Sequence, residues 1–256
     1  MKFGIGHLNV IAVRKEPADQ SEMVTQLLFG ETFQVLVEEP EWIRIHIDYD
    51  YYEGWVMAKQ VRFLSEEDHK RISKNNTCFS NELVTFISDK NDHPQILTLG
   101  AGLPEYDHGK FKLSEMTYAF DGDIIAGKQP KSRLVRTAYK FLNAPYLWGG
   151  RTPFGVDCSG FTQMVYKING YELFRDSHQQ ASQGEVLSFI EECEPGDLAF
   201  FDNEDGEIIH TGIILDNNYI IHCHGKVRID RIDSSGIYNV DTKRHTHKLR
   251  VMKQLF

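Results

Sequence analysis

The sequence predicts an α+β protein in which one or two small β-domains precede a domain of helices followed by an antiparallel sheet. Residues 1–128 contain short segments of alternating apolar and polar residues, separated by polar turns, which is typical of half-buried strands. Helical periodicity begins only after residue 130, and strand-like segments follow it to the C-terminus. Helices followed by a series of strands are typical of an α+β domain.

The length and composition are those of a folded protein with room for several domains. The 256 residues are 41% hydrophobic and 25% charged, and the net charge is -9 at a sequence pI of about 5.7. Because nucleic acids and anionic membrane surfaces favour a basic protein face, we predict neither as a partner. The oligomeric state leaves no signal in the sequence.

The sequence shows neither a membrane-spanning helix nor a secretory signal, the two features that would place the protein in or across a membrane. No run approaches the roughly 18 apolar residues that a membrane-spanning helix needs. Residues 1–20 lack the apolar core and small-residue cleavage site of a secretory signal. We therefore expect a cytoplasmic protein, or a periplasmic or secreted one if a native signal has been removed.

The N-terminal region, residues 1–64, is predicted to form a small barrel. Residues 33–37 and 43–47 alternate in the manner of strands, and short strands at this spacing are typical of such a barrel. A Phe-Gly-Glu turn at 29–31 and a Gly-Trp-Val segment at 54–56 resemble the bacterial SH3 domain.

Residues 65–128 are interpreted as a second, degenerate SH3-like domain. A polar segment at 65–74 is predicted to be a linker or short helix. Short β-like segments follow, among them 83–87 and 96–104. The two halves of the N-terminal region are not an obvious sequence repeat.

Two helices are predicted at the start of the third domain, residues 129–256. Apolar residues recur on one helical face over 132–144, and Pro145 is predicted to end that helix. A second helix is predicted to begin at Cys158 and to stop at Gly170.

The rest of this domain is predicted to be an antiparallel sheet. Its segments are rich in β-branched residues and are bounded by turn residues. The predicted strands are 198–201, 208–215, 219–223, 227–230 and 248–252.

One of the four cysteines stands at a chemically distinctive position. No Cys-x-x-Cys pair exists, so a structural zinc site is not predicted, and a chain of this length does not need disulfides. Cys78, Cys193 and Cys223 are interpreted as small buried hydrophobic residues. Cys158 follows a Gly-rich loop and opens a helix, where the helix dipole lowers a thiol pKa and free N–H groups can hold an oxyanion. A buried structural cysteine fits that position equally well.

Two histidines are candidates for the base that a thiol nucleophile needs. His210 lies in the middle of an apolar strand, where a satisfied core imidazole is the alternative. His222 lies on the next predicted strand. If a hairpin across 216–218 pairs these strands, the histidines become neighbours and one can orient the other. A metal site of Cys158 with both histidines lacks a closely spaced ligand pair, so no metal is predicted.

Six motifs in the C-terminal half follow one another in a particular order. They are Pro-Tyr-Leu-Trp-Gly-Gly at 145–150, Asp-Cys-Ser-Gly at 157–160, Arg-Asp-Ser-His-Gln-Gln at 175–180, Gly-Asp-Leu-Ala-Phe-Phe at 196–201, His-Thr-Gly-Ile at 210–213 and Ile-Ile-His at 220–222. In order and spacing they resemble the NlpC/P60 family of cysteine peptidases. With its SH3-like regions, the whole chain is similar to the γ-D-glutamyl-L-diamino acid endopeptidases, also called dipeptidyl-peptidase VI, which implies a papain-like fold.

The resemblance implies a role for each matched residue. Cys158 would be the nucleophile, His210 its base and His222 the polar third member. Tyr146 would contribute its hydroxyl to the oxyanion hole, and a packed loop aromatic is the alternative. One departure is Thr211, where the family often has valine. No cofactor is required.

The resemblance also implies contacts with a murein peptide. Asp157, Ser159 and Ser177 would contact its L-Ala-γ-D-Glu part, and Trp148 in the Gly-rich loop is a further candidate for substrate binding. Ser177 and Asp176 can equally cap a helix, and both roles can hold together.

The SH3-like domain would help to recognise the free N-terminal amine of the peptide. A carboxylate can bind an ammonium group through charge-assisted hydrogen bonds. The candidate residues are Glu16 and Tyr52, and Glu22 is an alternative to Glu16. A solvated loop carboxylate and a surface aromatic are the alternatives.

The sequence therefore predicts a γ-D-glutamyl–diamino acid endopeptidase that acts in the recycling of soluble wall peptides. Two alternatives remain open. One is an exported peptidoglycan hydrolase that its SH3 domains tether to the wall. The other is a catalytically dead protein that binds wall peptides.

Overall fold

The computed structural model of the protein describes residues 1–75, 78–88, 91 and 93–256, which divide after Gly127 into two units with separate cores. Unit 1 is Met1–Gly127 and unit 2 is Lys128–Phe256. No helix in these ranges has the length and apolar character that a bilayer crossing needs.

Unit 1 begins with a series of strands, two of which contain the predicted segments 33–37 and 43–47. They are β1 (Lys2–Gly6), β2 (Val10–Arg14), β3 (Met23–Leu28), β4 (Thr32–Glu38), β5 (Trp42–Ile47), β6 (Glu53–Met57) and β7 (Val61–Leu64). They form one antiparallel sheet in the order β3-β2-β6-β5-β4-β1-β7. Every second residue points to one face of a strand, so Ile43, Ile45 and Ile47 of β5 enter a common buried core.

The Phe-Gly-Glu turn joins this sheet to the rest of unit 1. Gly30 adopts a φ of +83°, and a Cβ there would lie 2.5 Å from the carbonyl oxygen of Gly102. The Gly102 N–H donates to the Phe29 carbonyl at 2.8 Å. Glycine is required here because both the backbone conformation and the close approach exclude a side chain.

The second half of unit 1 contains a short helix and two small sheets. The elements are α1 (Glu66–Asn75), β8 (Cys78–Ser80), β9 (Val84–Ser88), β10 (Pro94–Thr98), β11 (Lys110–Leu113), β12 (Met116–Ala119) and β13 (Ile124–Ala126). The strands pair as β10-β9-β12-β11 and β13-β8. The strand predicted over 96–104 is wrong beyond Thr98, because a turn with Gly100 at a φ of +83° ends it.

Three helices precede or interrupt the sheet of unit 2. They are α2 (Lys131–Lys140), α3 (Cys158–Ile168) and α4 (Ser177–Gln180). The helix predicted over 132–144 is too long: Phe141 forms its C-cap and Asn143 adopts a φ of 69°, so the helix ends well before Pro145. Gly170 has a φ of +82° just after α3, which confirms the predicted stop.

The strands of unit 2 form a two-stranded hairpin and a larger antiparallel sheet. They are β14 (Arg151–Thr152), β15 (Gly155–Val156), β16 (Glu185–Leu187), β17 (Leu198–Asp202), β18 (Ile208–Leu215), β19 (Tyr219–His224), β20 (Lys226–Asp233), β21 (Gly236–Asn239) and β22 (Arg244–Gln254). The order is β16-β22-β17-β18-β19-β20-β21, and β22 also pairs with β21. This extra pairing closes β17–β22 into a six-stranded ring, and each strand predicted for this region is present.

The register of β18, β19 and β20 decides which side chains meet. Gly212 is opposite His222, and His222 is opposite Arg228. Because side chains alternate between faces, His210 and Asp230 lie on the same face as these residues. The hairpin predicted across 216–218 is confirmed. A Cβ on Gly212 would lie 2.8 Å from the Cβ of His222, so glycine leaves the space that this imidazole occupies.

Candidate active site

Cys158 is the first residue of α3, as predicted. The preceding Asp157 is the N-cap, and its side chain accepts a hydrogen bond of 2.6 Å from the Gly160 N–H. The first N–H groups of a helix have no intrahelical acceptor, so the Cys158 N–H at the helix start is a donor suited to an oxyanion. The Ser159 backbone N–H instead faces the thiol of Cys158.

Asp157 is held by a buried arginine. Its two carboxylate oxygens accept from Arg175 Nη1 at 3.0 Å and Nη2 at 2.6 Å, and from the Gly149 N–H at 2.8 Å. Arg175 Nη1 also donates to Ser159 Oγ at 2.9 Å. Both Asp157 and Ser159 are buried and already bonded within the protein. This geometry gives them a structural role, and direct contact of either with substrate stays a prediction.

The thiol of Cys158 is not acidified in the way the helix position predicts. Burial raises its pKa to about 12, and the charge of Asp157 adds to that effect. The backbone groups of Thr211 and Ser159 and the charge of Arg175 lower the pKa, but they do not outweigh burial. The lowering predicted for the helix start is therefore present but smaller than the effect of burial, and the thiol needs a base.

His210 and His222 are brought together, as the predicted hairpin requires. His210 Nε2 lies 2.9 Å from His222 Nδ1, and both imidazoles are buried. Burial lowers the pKa of His210 well below its usual value, and the neighbouring histidines lower it further. Burial also lowers the pKa of His222, although Asp230 opposes this. Both rings are therefore neutral near pH 7, the state in which an imidazole can accept a proton.

A buried carboxylate, that of Asp230, contacts the second ring nitrogen of His222. Asp230 Oδ2 lies 3.0 Å from His222 Nε2. Arg228 donates to Asp230 from Nε at 2.6 Å and from Nη2 at 2.9 Å, and the Val240 N–H adds a bond of 3.0 Å. Burial alone would raise the pKa of Asp230, but the hydrogen bonds from His222, Arg228 and Val240 hold it well below its usual range.

Two further histidines lie next to the His210–His222 pair. The His247 ring stacks on the His210 ring, with centroids 4.2 Å apart and planes at 26°. His224 meets His247 edge to face, with centroids 4.9 Å apart. Burial lowers the pKa of His247 to about 4, and His222 and His224 contribute. In the described part of the chain, no group of three or more potential ligand side chains could hold a metal ion.

Tyr146 and Trp148 lie on the loop that leads to β14. The Tyr146 N–H donates to the Gly225 carbonyl at 3.0 Å, and the residue is 41% exposed. Burial of the hydroxyl raises its pKa to about 12, with contributions from Cys158 and Asp157, so it stays a donor over the neutral range. Trp148 is 59% exposed, which leaves a large part of its indole accessible to a ligand.

Ser177 is the first residue of α4, beside the beginning of β18. Its hydroxyl donates to the Ile208 carbonyl at 3.5 Å, two residues before His210. Asp176 is the N-cap of α4, as the capping alternative predicts, and its N–H donates to Gln179 Oε1 at 3.2 Å. The contact of Ser177 with substrate stays a prediction.

The three candidates of the N-terminal domain line one cavity of unit 1. Glu16, Glu22 and Tyr52 border a space of about 590 Å³ that also includes Arg44. Glu22 lies 3.8 Å from Lys15 Nζ, whereas the Glu16 carboxylate has no ion-pair partner among the described residues. This difference favours Glu16 over Glu22 as a site for an ammonium group.

The other three cysteines differ in their surroundings. Burial raises the pKa of Cys78 to about 11, and Cys223 is buried with its thiol donating to the Val156 carbonyl at 3.1 Å. Cys193 is only partly buried, 3.3 Å from the sulfur of Met252 at the edge of the core, so the prediction of full burial is wrong for this residue. All four cysteines are free.

Sequence reasoning missed Arg175, Arg228, Asp230 and His247. Arg175 stands in a motif that was recognised, but its partner lies 18 residues away along the chain. Arg228 and Asp230 were placed on a predicted strand, where polar alternation indicates a solvated face. Only the register with β19 turns that face towards His222.

Comparison with known proteins agrees with this geometry. A family model described as the NlpC/P60 family matches residues 143–247, and one described as the bacterial dipeptidyl-peptidase Sh3 domain matches residues 13–61. The first range contains Cys158, His210 and His222.

Two curated relatives match most of the chain. A protein named γ-D-glutamyl-L-lysine dipeptidyl-peptidase, from Bacillus subtilis (strain 168), is 31% identical over 216 residues, which is 77% of this chain and 71% of that protein. A protein named dipeptidyl-peptidase 6, from Lysinibacillus sphaericus, is 25% identical over 243 residues, which is 85% of this chain and 87% of the relative.

A solved structure extends the likeness to the fold. The crystal structure of an NlpC/P60 family protein from Bacillus cereus ATCC 10987 superimposes with a TM-score of 0.79 at 18% identity, over 99% of each chain. At this identity the likeness concerns the fold alone.

Proposed function

The chain belongs to the NlpC/P60 family of cysteine peptidases, and we propose that it hydrolyses the γ-D-glutamyl–diamino acid bond of soluble murein peptides with a free N-terminal L-Ala. The proposal includes a papain-like fold for unit 2 and a second, degenerate SH3-like domain at residues 65–128. It also includes a role in peptide recycling in the cytoplasm. The name of the Bacillus subtilis relative, γ-D-glutamyl-L-lysine dipeptidyl-peptidase, supports this class of bond.

The contact between His210 and His222 is the observation that carries the proposal. Because this contact occupies Nε2 of His210, Nδ1 is the ring nitrogen that can accept the proton of the Cys158 thiol. The Thr211 backbone, next to His210, favours the thiolate of Cys158, so the base strand and the nucleophile are neighbours. This is the arrangement that nucleophilic catalysis by cysteine needs.

The reaction starts from a neutral thiol and a neutral imidazole. His210 Nδ1 takes the thiol proton while the sulfur of Cys158 attacks the γ-carbonyl carbon. The carbonyl oxygen becomes an oxyanion that the Cys158 N–H and the Tyr146 hydroxyl stabilise. Burial disfavours either charge alone, but the thiolate and imidazolium offset each other as a pair.

The second half of the reaction returns the proton. The His210 imidazolium protonates the amine of the diamino acid as the C–N bond breaks, which leaves a thioester on Cys158. His210 then deprotonates water, which attacks the thioester carbon. The thiolate leaves, regains its proton from His210, and L-Ala-γ-D-Glu is released.

We assign recognition of the free amine to Glu16, with Tyr52 beside it. A carboxylate without an ion-pair partner in a cavity that also holds an aromatic residue suits an ammonium group. Glu16→Gln is expected to raise KM for peptides with a free amine. Glu22→Gln is the matched control, because Glu22 lines the same cavity but already faces Lys15.

The first test is hydrolysis of L-Ala-γ-D-Glu-L-Lys and its meso-diaminopimelate analogue, each with a free or acetylated N-terminus. Wild type is compared with Cys158→Ala. Cleavage of the free-amine peptides alone, lost in the variant, supports the proposal. Equal cleavage of acetylated peptides, or activity on whole sacculi, supports the exported wall hydrolase instead. If no peptide is cleaved, the catalytically dead binding protein is favoured.

A further inference from the structure

The contact between His210 and His222 is compatible with two arrangements of protons. In one, His210 Nε2–H donates to His222 Nδ1, and the lone pair of His210 Nδ1 is free to act as a base. In the other, His222 Nδ1–H donates to His210 Nε2, and Nδ1 of His210 carries a proton. Only the first arrangement is catalytically competent, since a protonated Nδ1 cannot accept the proton of Cys158.

We propose that Asp230 is a positioning residue that selects the competent arrangement, and that Arg228 holds Asp230 as a pure acceptor. This inference rests on the proposed function. An ionised carboxylate has no proton to donate, so the 3.0 Å contact obliges His222 Nε2 to carry the proton. A neutral His222 then has a lone pair at Nδ1, and His210 must donate to it from Nε2.

The surroundings of Asp230 exclude a protonated carboxyl group. Arg228 Nε donates to Oδ2, the oxygen that also faces His222, and Arg228 Nη2 donates to Oδ1. The Val240 N–H fills a further position on Oδ1. Oδ1 therefore meets N–H donors from Arg228 and Val240, and Oδ2 meets one from Arg228, so the guanidinium charge next to both oxygens keeps the carboxylate ionised. Arg228 is in turn held by Asp241 at 2.8 Å.

This pattern makes Asp230→Asn informative. An amide NH2 in either position would face an N–H of Arg228. With the NH2 towards His222, it would donate to His222 Nε2 and reverse the direction of both hydrogen bonds. His210 would then carry its proton on Nδ1 and lose its function as a base.

Asp233→Asn is the matched control. Asp233 lies on the same strand, β20, and also contacts a histidine, with His245 Nε2 at 2.9 Å from Oδ2. That pair is exposed, and His245 has no contact with His222 among the described residues. The control therefore changes the same chemical group but leaves the contacts from Asp230 to His222 and from His222 to His210 unchanged.

The test reads the tautomers directly, by long-range ¹H–¹⁵N spectra of histidine-labelled protein near pH 7. In wild type and Asp233→Asn, His210 and His222 are expected to carry their protons on Nε2. In Asp230→Asn, protons on Nδ1 are expected, with kcat lower by up to about 10⁴-fold and KM changed less than about twofold. A merely structural role would leave the tautomers unchanged.

Two results would overturn the inference. One is a wild-type spectrum in which His222 carries its proton on Nδ1, and this result does not depend on whether Asp230→Asn folds. The other is a folded Asp230→Asn protein with unchanged tautomers and full kcat. Because the spectra need no peptide, failure to cleave any γ-D-glutamyl peptide would refute the proposed substrate and leave the tautomer result standing.

Discussion

Arg175 Nη2 lies 2.6 Å from Asp157 Oδ2, and the two side chains form a buried ion pair immediately before the nucleophile. The carboxylate of this pair also caps α3 and accepts from the Gly149 N–H. One buried contact thus couples the helix start, the Gly-rich loop and the position of Cys158.

Replacement of Arg175 should destabilise the protein strongly. Arg175→Met leaves the Asp157 charge buried without its counter-charge, and removing one partner of such a pair costs about 3–5 kcal/mol. Urea unfolding monitored by circular dichroism measures the change. Arg136→Met on the exposed face of α2 is the control, expected to change stability by less than about 0.5 kcal/mol. A loss below about 1 kcal/mol for Arg175→Met would contradict the assignment.

Tyr146→Phe should lower kcat while leaving the free energy of unfolding nearly unchanged. The change removes only the hydroxyl of a partly exposed ring, so we expect little effect on stability. Loss of one oxyanion donor typically lowers kcat about 10²- to 10³-fold, and KM should change little. Steady-state kinetics on L-Ala-γ-D-Glu-L-Lys measure both constants. Tyr139→Phe, at another exposed tyrosine, is the control, and an unchanged kcat in Tyr146→Phe would remove the hydroxyl from the mechanism.

Thr211→Val should stabilise the protein. The Thr211 hydroxyl is fully buried and has no hydrogen-bond partner among the described residues. Replacing it by a methyl group removes an unsatisfied polar atom, so the free energy of unfolding should rise by about 1–2 kcal/mol.

Thr162→Val is the matched control for that change. The Thr162 hydroxyl is equally buried, but it donates to Gln180 Oε1 at 2.8 Å. The same substitution should therefore lower stability there, by about 1–3 kcal/mol. Denaturant unfolding of both variants tests the pair, and destabilisation by Thr211→Val would show that its hydroxyl is bonded in solution.

His247 should make stability depend on pH below neutrality. Its pKa falls from 6.5 to about 4 on folding, so the unfolded chain binds a proton more readily. The stabilisation is present above pH 6.5 and is lost as the pH falls towards 4. Between pH 7 and pH 5, His247→Phe should reduce the loss of stability by about 1–2 kcal/mol relative to wild type.

Urea unfolding at several pH values measures this slope. His247→Gln also lacks the charge but does not keep the flat ring over His210, so the two variants should share one pH dependence. Equal slopes in wild type and both variants would show that His247 is protonated as easily in the folded protein as in the unfolded chain.

Features that depend on neighbours along the chain can be predicted from the amino-acid sequence alone. The helix start at Cys158, the stop at Gly170 and the hairpin across 216–218 follow from short-range periodicity and turn residues. The sequence makes the pairing of His210 with His222 conditional on the register of that hairpin, and the structure fixes this register with Gly212 opposite His222. The six motifs between residues 145 and 222 indicate the NlpC/P60 family.

The surroundings of these residues, in contrast, depend on how the whole unit packs. Asp230 faces His222 because β20 pairs with β19 in one register, and Arg175 reaches Asp157 across a loop. The net pKa of Cys158 is raised because burial outweighs the favourable backbone groups, a balance that local sequence does not encode. Registers between strands and the burial of charges arise from the packing of the whole unit, so they become visible only once the chain is folded.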